Sequence, residues 1–247
     1  MNNFKNDPLV TIITVVLNNK KKLEKALKSI FHQSYKNIEL IVIDGGSTDG
    51  TKNIIKKYQK KINYWISEKD DGIYDAINKG IKKSTGDIIG ILHSDDYFYK
   101  NAINIVARYF KENTKIDFLF GAVKKYKLLY GYKPWKIFFS FGFYSTHSVG
   151  FFIKRKSQVK LGYYNTKYKY SSDYDIFYRM IVKKKMIGMA TKKKEILGVF
   201  RRGGISSRLS FIDYLNETIK IRLENGQNRI LVLLIFVLKY LKNISKI

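Results

Sequence analysis

The sequence contains no cysteine, and this absence excludes disulfide bonds and metal sites built from thiolate ligands. Such a chain suits a reducing compartment, although the absence alone does not establish one. The amino-terminal segment, MNNFKNDPLV, lacks the basic and apolar stretches of a secretory signal peptide, so we expect none there. These features favour a cytoplasmic protein.

Two glycine-rich phosphate-binding motifs are also missing. No G-x-G-x-x-G follows the first apolar run, which argues against a dinucleotide-binding fold, and the lack of G-x-x-x-x-G-K-[ST] excludes a P-loop enzyme. A protein without such a glycine cradle can bind phosphates through a divalent ion that carboxylates hold. Acidic residues at defined places are therefore the feature to search for.

Acidic residues are the minority charge, with 20 Asp and Glu against 47 Lys and Arg and a formal net charge of +27. A strong basic excess favours binding to polyanions, either nucleic acid or an anionic membrane surface. The alternative is a Lys-rich and Asn-rich composition inherited from an AT-rich genome. Because the lysines are spread along the chain, the sequence favours a generally basic surface over one basic groove.

The sequence does contain a regular alternation of strand and helix patterns. Continuous β-branched apolar runs at 9–17 and 38–44 are typical of strands buried on both faces of a parallel sheet. Further strands are predicted at 62–68, 87–93 and 117–123, with amphipathic helices between successive strands. This order predicts an α/β fold with right-handed βαβ units and a mainly parallel sheet flanked by helices.

The carboxyl-terminal section is predicted to be helical and ends in a short apolar run, Ile230 to Leu238, flanked by basic residues. A bilayer span needs about 20 apolar residues, so this run is too short to cross a membrane. A basic helix with an apolar face can instead lie in the headgroup region of an anionic membrane. The alternative is packing against the protein's own surface or a partner. We predict a main domain at 1–205 and a helical tail at 206–247.

Carboxylates follow three of the first four predicted strands, at Asp44, Asp71 and the adjacent pair Asp95 and Asp96. Ligands of open parallel sheets bind outside the carboxyl ends of the strands, so these residues are expected at one rim. Asp and Ser are also good helix N-caps, which offers a structural explanation for each position taken alone. Three on one rim favour a site for Mg²⁺ or Mn²⁺ with phosphate oxygens.

A set of segments strongly resembles the inverting glycosyltransferases of family 2, in order and spacing: TIITVVLNN, ELIVIDGGSTDGT, SEKDDGIYDAINKGI, GDIIGILHSDD and SSDYDIFYRM. The resemblance covers roughly residues 8–205. It implies the GT-A fold, which is Rossmann-like, and is nearest to the bacterial branch acting in exopolysaccharide, capsule and O-antigen assembly, the colanic-acid type.

The resemblance also implies roles for individual residues. Thr14 and Asn18 would line the base and ribose pocket, Asp44 would bind the nucleobase or ribose, and Asp95 would face the ribose. Asp96 is the expected direct ligand of Mn²⁺ or Mg²⁺, with Asp95 beside it. The remaining expected donor-side residues shape the loop after the second strand or form the donor-side wall: Ser47, Asp49, Asp71, Gly72, Asp75, Asn78 and Lys79.

The general base implied by the resemblance is Asp173. Relatives open this helix with an acidic pair, but the first position here is Ser172, so one carboxylate remains. Asp175 is expected instead to form an i,i+4 ion pair with Arg179. Three further residues are expected to contact the acceptor or the diphosphate, with a packed His and solvated Arg side chains as the alternatives: His147, Arg201 and Arg202.

The implied activity is metal-dependent, hexosyltransferase-like transfer from a UDP- or GDP-linked sugar to a glycan or polyprenyl-diphosphate-linked acceptor. We expect it in cell-envelope polysaccharide biosynthesis, with the protein peripheral at the inner face of the plasma membrane. One alternative is a basic nucleic-acid-binding module, which the acidic rim opposes, so no nucleic acid is expected. Another is a sugar nucleotidyltransferase, but LNNKKKLEK lacks the glycines of its usual loop.

Overall fold

The structure is a computed structural model and describes residues 7–139, 146–201 and 210–243. It is built on a central sheet of seven strands and a second sheet of four. The strands are β1 (Val10–Val16), β2 (Ile38–Asp44), β3 (Tyr64–Ser67), β4 (Ile88–Ile91), β5 (Tyr97–Phe98), β6 (Phe118–Phe120), β7 (Ala122–Lys124), β8 (Leu128–Leu129), β9 (Phe151–Lys154), β10 (Gly188–Ala190) and β11 (Ile196–Val199).

The central sheet has the strand order β10-β6-β9-β4-β1-β2-β3. The pairs β1 with β2, β1 with β4 and β2 with β3 are all parallel, whereas β9 runs antiparallel to both of its neighbours. All seven residues of β1 are buried, as a central parallel strand covered on both faces requires. The predicted α/β fold with a mainly parallel sheet is confirmed.

Helices cover both faces of this sheet. Alternate residues of each strand point to opposite faces and pack against the helices on that side. Ile12 packs in the apolar layer formed with α1 and α4, whereas Ile13 packs in the layer formed with α3 and α7. The helices of the described part of the chain are α1 (Lys20–Phe31), α2 (Thr51–Tyr58), α3 (Ile73–Lys83), α4 (Ala102–Glu112), α5 (Pro134–Phe139), α6 (Arg155–Leu161), α7 (Ser172–Tyr178), α8 (Phe211–Glu224) and α9 (Arg229–Lys242).

Two predicted elements differ in detail from the structure. The strand predicted at 117–123 breaks at Gly121, so β6 joins the central sheet and β7 joins the second sheet. A Cβ at Gly121 would lie 2.0 Å from Leu197 Cδ1, so a larger residue there would require the Leu197 side chain to move. The helix predicted at 173–186 begins as α7 and continues as a π-helical turn over Arg179–Lys183.

The second sheet has the strand order β5-β11-β7-β8. β5 follows directly after the Asp95–Asp96 pair, and β11 runs antiparallel to it, with Val199 opposite Tyr97. This pairing brings the chain just beyond residue 199 next to Asp96, although the two segments are about one hundred residues apart in sequence.

The carboxyl-terminal helices form an appendage to this core. α8 packs against α7, and α9 packs against α8. Within the described residues, no helix is long and apolar enough to cross a membrane. The tail is therefore helical, as predicted, and it contacts the core through the helix that carries Asp173.

Candidate functional site

The carboxyl ends of β1, β2, β3 and β4 meet at one edge of the sheet, because these four strands are parallel neighbours. Asp44, the last residue of β2, is fully buried there. Its Oδ2 accepts hydrogen bonds from the Ser47 N–H at 3.1 Å and from the Ser67 hydroxyl at 2.5 Å, and its Oδ1 accepts one from the Ser47 hydroxyl. Three donors thus fix the orientation of this carboxylate.

The loop after β2 is tied to the loop after β1. Asn18, with φ at +47°, donates its N–H to Ser47 Oγ at 2.8 Å, and its Oδ1 accepts from the Thr48 N–H at 2.8 Å. Asp49 accepts from the Lys20 N–H at 3.0 Å and from Thr51, whose hydroxyl contributes most to lowering the pKa of Asp49. The exposed Asn18 therefore lies at the rim and helps to order it.

Thr14, like Asp44, is a fully buried residue of the predicted donor side. Its side chain is fully buried in β1, two residues before the strand ends, and its hydroxyl oxygen has no hydrogen-bond partner among the described residues. Contact of Thr14 with a base or ribose stays a prediction.

The loop after β3 places Asp70, and not Asp71, against the rest of the rim. A Cβ on Gly45 would lie 2.3 Å from Asp70 Oδ2, so the carboxylate sits where only glycine leaves room. Asp70 Oδ1 also accepts from the Gly72 N–H at 3.1 Å, and burial raises the pKa of Asp70. Asp71 is exposed, and its N–H donates to Asp75 Oδ2 at 3.3 Å. Sequence reasoning selected Asp71 from the run after the third strand and not Asp70, whose D-x-G spacing to Gly72 was the available signal.

Two residues of α3 that were expected to form the donor-side wall have structural contacts. Lys79 Nζ lies 3.1 Å from Asp75 Oδ2 and 2.9 Å from Glu68 Oε1. Asn78 is 7% exposed and exchanges two hydrogen bonds of 2.9 Å with the backbone of Tyr164. Asn78 therefore ties α3 to the segment that precedes α7, and its role in donor binding stays a prediction.

Three groups at the end of β4 form a candidate metal site. His93, Asp95 and Asp96 each offer one ligand atom, and these atoms all lie within 4.8 Å of one another. The expected pair of carboxylates is thus joined by His93, which sequence reasoning did not select. The sequence did offer a signal for His93. It is the last residue of the strand predicted at 87–93, and it comes two positions before Asp95.

The residues present fit a divalent cation. Asp96 Oδ2 and His93 Nε2 are buried and lack a hydrogen-bond partner among the described residues, although most buried polar atoms in proteins have one. Burial lowers the pKa of His93 to about 4, which leaves its ring neutral near pH 7, and burial raises the pKa of Asp96 to about 7. The other oxygen of Asp96, Oδ1, accepts from the Arg201 N–H at 2.8 Å.

Asp173 lies at the start of α7. Its Oδ1 accepts from the Tyr174 N–H at 2.8 Å and from the Tyr74 hydroxyl at 3.4 Å. Desolvation raises the pKa of Asp173 from 3.8 to about 6. The expected ion pair between Asp175 and Arg179 is confirmed at 2.8 Å, which gives Asp175 a structural partner.

Aromatic residues link the metal-site residues to Asp173. The His147 ring lies 5.9 Å from that of His93, and its Nε2 is 2.7 Å from the Tyr164 hydroxyl. The ring of Tyr164 in turn stacks on Tyr74 at 5.9 Å, and Tyr74 reaches Asp173. At 8% exposure, His147 is a packed, hydrogen-bonded residue, as the alternative interpretation has it, and its contact with an acceptor or diphosphate stays a prediction.

The two arginines after β11 are described only in part. Arg201 reaches Asp96 through its backbone N–H, and its guanidinium carbon lies 5.2 Å from the centre of the Tyr97 ring. Contact of its side chain with a diphosphate stays a prediction. Arg202 lies outside the described residues.

Comparison with known proteins bears on this geometry. The profile of glycosyl transferase family 2 matches residues 11–181. The chain belongs to glycosyl transferase family 2. The matched range runs from β1 to the helix that begins with Ser172 and Asp173, so it includes both the acidic rim and the candidate base.

Solved structures of similar fold include Staphylococcus aureus TarS 1-349 in complex with UDP-GlcNAc, with a TM-score of 0.71, 18% identity, and coverage of 92% of this chain and 70% of that one. The mannosyltransferase PcManGT from Pyrobaculum calidifontis, in complex with GDP-Man and Mn²⁺, gives a TM-score of 0.66, 17% identity, and coverage of 96% and 70%. These likenesses confirm the predicted GT-A fold.

A curated relative from Methanococcus voltae is 35% identical over 127 residues, which is 47% of this chain and 39% of the relative. Its name is dolichyl N-acetyl-alpha-D-glucosaminyl phosphate 3-beta-D-2,3-diacetamido-2,3-dideoxy-beta-D-glucuronosyltransferase. The chain spans between 16% and 59% of the length of the curated relatives it matches first.

Proposed function

We propose that this family 2 glycosyltransferase moves a hexosyl group from a nucleotide-diphosphate sugar to a hydroxyl of a glycan or lipid-linked acceptor, with inversion. The observation that carries the proposal is the cluster of His93, Asp95 and Asp96 at the carboxyl edge of the sheet, with buried ligand atoms that lack partners among the described residues. The family match and the bound nucleotide sugars of the two structural neighbours support it.

The donor half of the site is the rim formed by the loops after β1, β2 and β3. In this proposal Asp44, held by Ser47 and Ser67, accepts hydrogen bonds from a base or ribose, and Asp70 lies against the neighbouring Gly45. In this proposal Asp95 faces the ribose, and Asp96 and His93 hold Mn²⁺ or Mg²⁺. When bound, the cation offsets the negative charge that develops on the leaving diphosphate.

The acceptor half is assigned to α7 and its neighbours. Asp173 accepts the proton of the acceptor hydroxyl while that oxygen bonds to the anomeric carbon and the bond to the diphosphate breaks. Attack from the face opposite the leaving nucleotide inverts the anomeric configuration. With a pKa of about 6, Asp173 is mainly deprotonated at pH 7 yet more basic than an ordinary carboxylate, which suits a general base.

The acceptor proposed is a glycan built on a polyprenyl diphosphate, in the assembly of a bacterial surface polysaccharide at the inner face of the plasma membrane. The dolichyl phosphate in the name of the Methanococcus voltae relative supports a lipid-linked acceptor. The basic composition of the chain supports sugar transfer beside an anionic membrane surface.

A thermal-shift screen tests the donor half. UDP-, GDP- and dTDP-linked sugars are each added with and without Mn²⁺, and one nucleotide class is expected to raise the melting temperature in a metal-dependent manner. Asp96→Asn should abolish that shift while leaving the fold intact.

The matched control is Glu112→Gln, the same carboxylate-to-amide change at an exposed position on α4. It should leave the donor shift unchanged. A full metal-dependent shift in Asp96→Asn would contradict the assignment of Asp96, and the absence of a shift with every donor would contradict the proposed class of substrate.

A further inference from the structure

α9 carries a continuous apolar face that the rest of the described chain does not cover. Six side chains with exposed fractions between 42% and 71% occupy positions i, i+3, i+4, i+7, i+8 and i+11 of this helix. That spacing places them on one side of a helix with 3.6 residues per turn, in a sector roughly 140° wide. They are Ile230, Leu233, Leu234, Val237, Leu238 and Leu241.

The opposite side of α9 is where the helix meets the protein. Val232 and Ile235 are 3% and 5% exposed and lie on the side turned toward α8. α8 packs in turn on α7, the helix that begins with Ser172 and Asp173. The exposed apolar face therefore has a fixed direction relative to the candidate acceptor site, and it points away from the protein.

The charges around the apolar face are of one sign. From residue 225 to residue 243, where the described part of the tail ends, there are three basic residues and no acidic residue. Arg229 and Lys242, both exposed, flank the apolar sector, each roughly 110° from its centre and on opposite sides. Long basic side chains in these places extend along an apolar surface while their charges stay at its polar boundary.

We propose that this face of α9 docks on an anionic lipid bilayer, parallel to its surface, with the six apolar side chains among the upper acyl chains. The helix is about 21 Å long, shorter than the roughly 30 Å hydrocarbon core, which fits a helix lying in the interface and not one crossing it. A second copy of the chain would bring the Arg229 and Lys242 charges of both copies together, which opposes self-association through the same face.

This docking would hold the α7 side of the site near a bilayer that contains a lipid-linked acceptor. For the identity of that acceptor, the inference rests on the proposed function. The contact itself is a property of the surface of α9. It is therefore measurable without any sugar transfer.

The test is co-sedimentation of the full chain with vesicles of phosphatidylcholine alone and of phosphatidylcholine mixed with phosphatidylglycerol. We expect binding mainly to the anionic vesicles, weakening as salt is added. The double variant Leu234→Gln/Leu238→Gln, which changes two exposed positions, should lower the partition coefficient at least about tenfold. Arg229→Gln/Lys242→Gln should weaken the preference for anionic vesicles.

The matched control is Val159→Gln, since Val159 is 71% exposed on α6 and lies outside the α9 face. It should bind vesicles as the unmodified chain does. Absence of binding to anionic vesicles, or equal binding to both kinds, would overturn the proposal. So would a dimer in solution that Leu234→Gln/Leu238→Gln dissociates.

The metal-dependent donor shift separates this inference from the proposed function. Leu234→Gln/Leu238→Gln should keep the donor shift and lose vesicle binding. A chain that binds anionic vesicles through α9 but gives no donor shift would contradict the proposed function and leave the docking surface standing.

Discussion

The two halves of the site hold their carboxylates in opposite ways. Asp44, on the sheet edge, is fully buried but accepts hydrogen bonds from two serines, so its position is fixed by neighbouring hydroxyl and amide groups. Asp173, on α7, has fewer donors, and desolvation raises its pKa to about 6. In the proposed function, the first half would provide fixed geometry for a donor, and the second would provide a tuned proton affinity. Four predictions test this contrast.

The largest effect is expected from Asp173→Asn, which should lower the transfer rate by about 10²–10⁴-fold, the usual contribution of a general base. The folded protein should not be destabilised. A carboxyl whose pKa is raised from 3.8 to about 6 costs stability when ionised, a cost present above pH 6 and absent below pH 4. The melting temperature at pH 7 should be unchanged or higher.

The matched control for that variant is Asp175→Asn, two residues along the same helix. It weakens the buried ion pair with Arg179, so the free energy of unfolding should fall by about 1–3 kcal/mol while transfer persists. Loss of transfer in Asp175→Asn with full transfer in Asp173→Asn would exchange the two assignments.

The second prediction concerns pH. Because Asp173 must be deprotonated to accept a proton, kcat/KM at saturating Mn²⁺ should fall about tenfold per pH unit below a pKa near 6. The measurement is a pH–rate profile in which donor binding is followed separately by thermal shift. An apparent pKa near 4 in the pH–rate profile would show that the Asp173 carboxyl is not desolvated in the working enzyme.

The third prediction addresses the donor half. Ser47→Ala removes a hydroxyl that donates to Asp44 and accepts from the Asn18 N–H, so donor affinity should weaken about tenfold with little change in the pH profile. Ser84→Ala, which removes a buried hydroxyl hydrogen bond at the end of α3, is the control and should leave donor affinity unchanged. Titration with the donor identified by thermal shift measures both.

The smallest effect is expected from Tyr74→Phe. The Tyr74 hydroxyl helps to lower the pKa of Asp173, so its removal should move the acid limb upward by a fraction of a unit and slow transfer at pH 6 about threefold. Tyr58→Phe, which removes a tyrosine–carboxylate hydrogen bond to Glu24 away from the site, should leave the limb in place. If the apparent pKa of the acid limb were unchanged in Tyr74→Phe, the Tyr74 hydroxyl would have no influence on the proposed general base.

The sequence was sufficient for the parallel half of the fold. β2 was predicted at its observed bounds, because a run of β-branched and apolar residues buried on both faces leaves a strong local signal. The break at Gly121 was not predictable, since this residue lies against Leu197, in a strand that begins 75 residues later. Long-range packing decided that boundary, and periodicity does not record it.

The same distinction holds within the site. The rim carboxylates Asp44, Asp95 and Asp96 follow strands and were found by position alone. The choice between Asp70 and Asp71 depended on which side chain turns toward Gly45, and His93 joins the metal-site residues only through the local course of the chain after β4. Such choices depend on side-chain direction at a turn, where two adjacent residues look equivalent in sequence.

The hydrogen bond from the Arg201 N–H to Asp96 has a consequence for mutational tolerance. Because the backbone makes the contact, every residue except proline preserves it, whatever happens to the guanidinium over Tyr97. A library of substitutions at position 201 therefore separates two contributions that a single alanine variant would merge. Proline alone reports on the backbone donor at Asp96, and the other residues report on the arginine side chain.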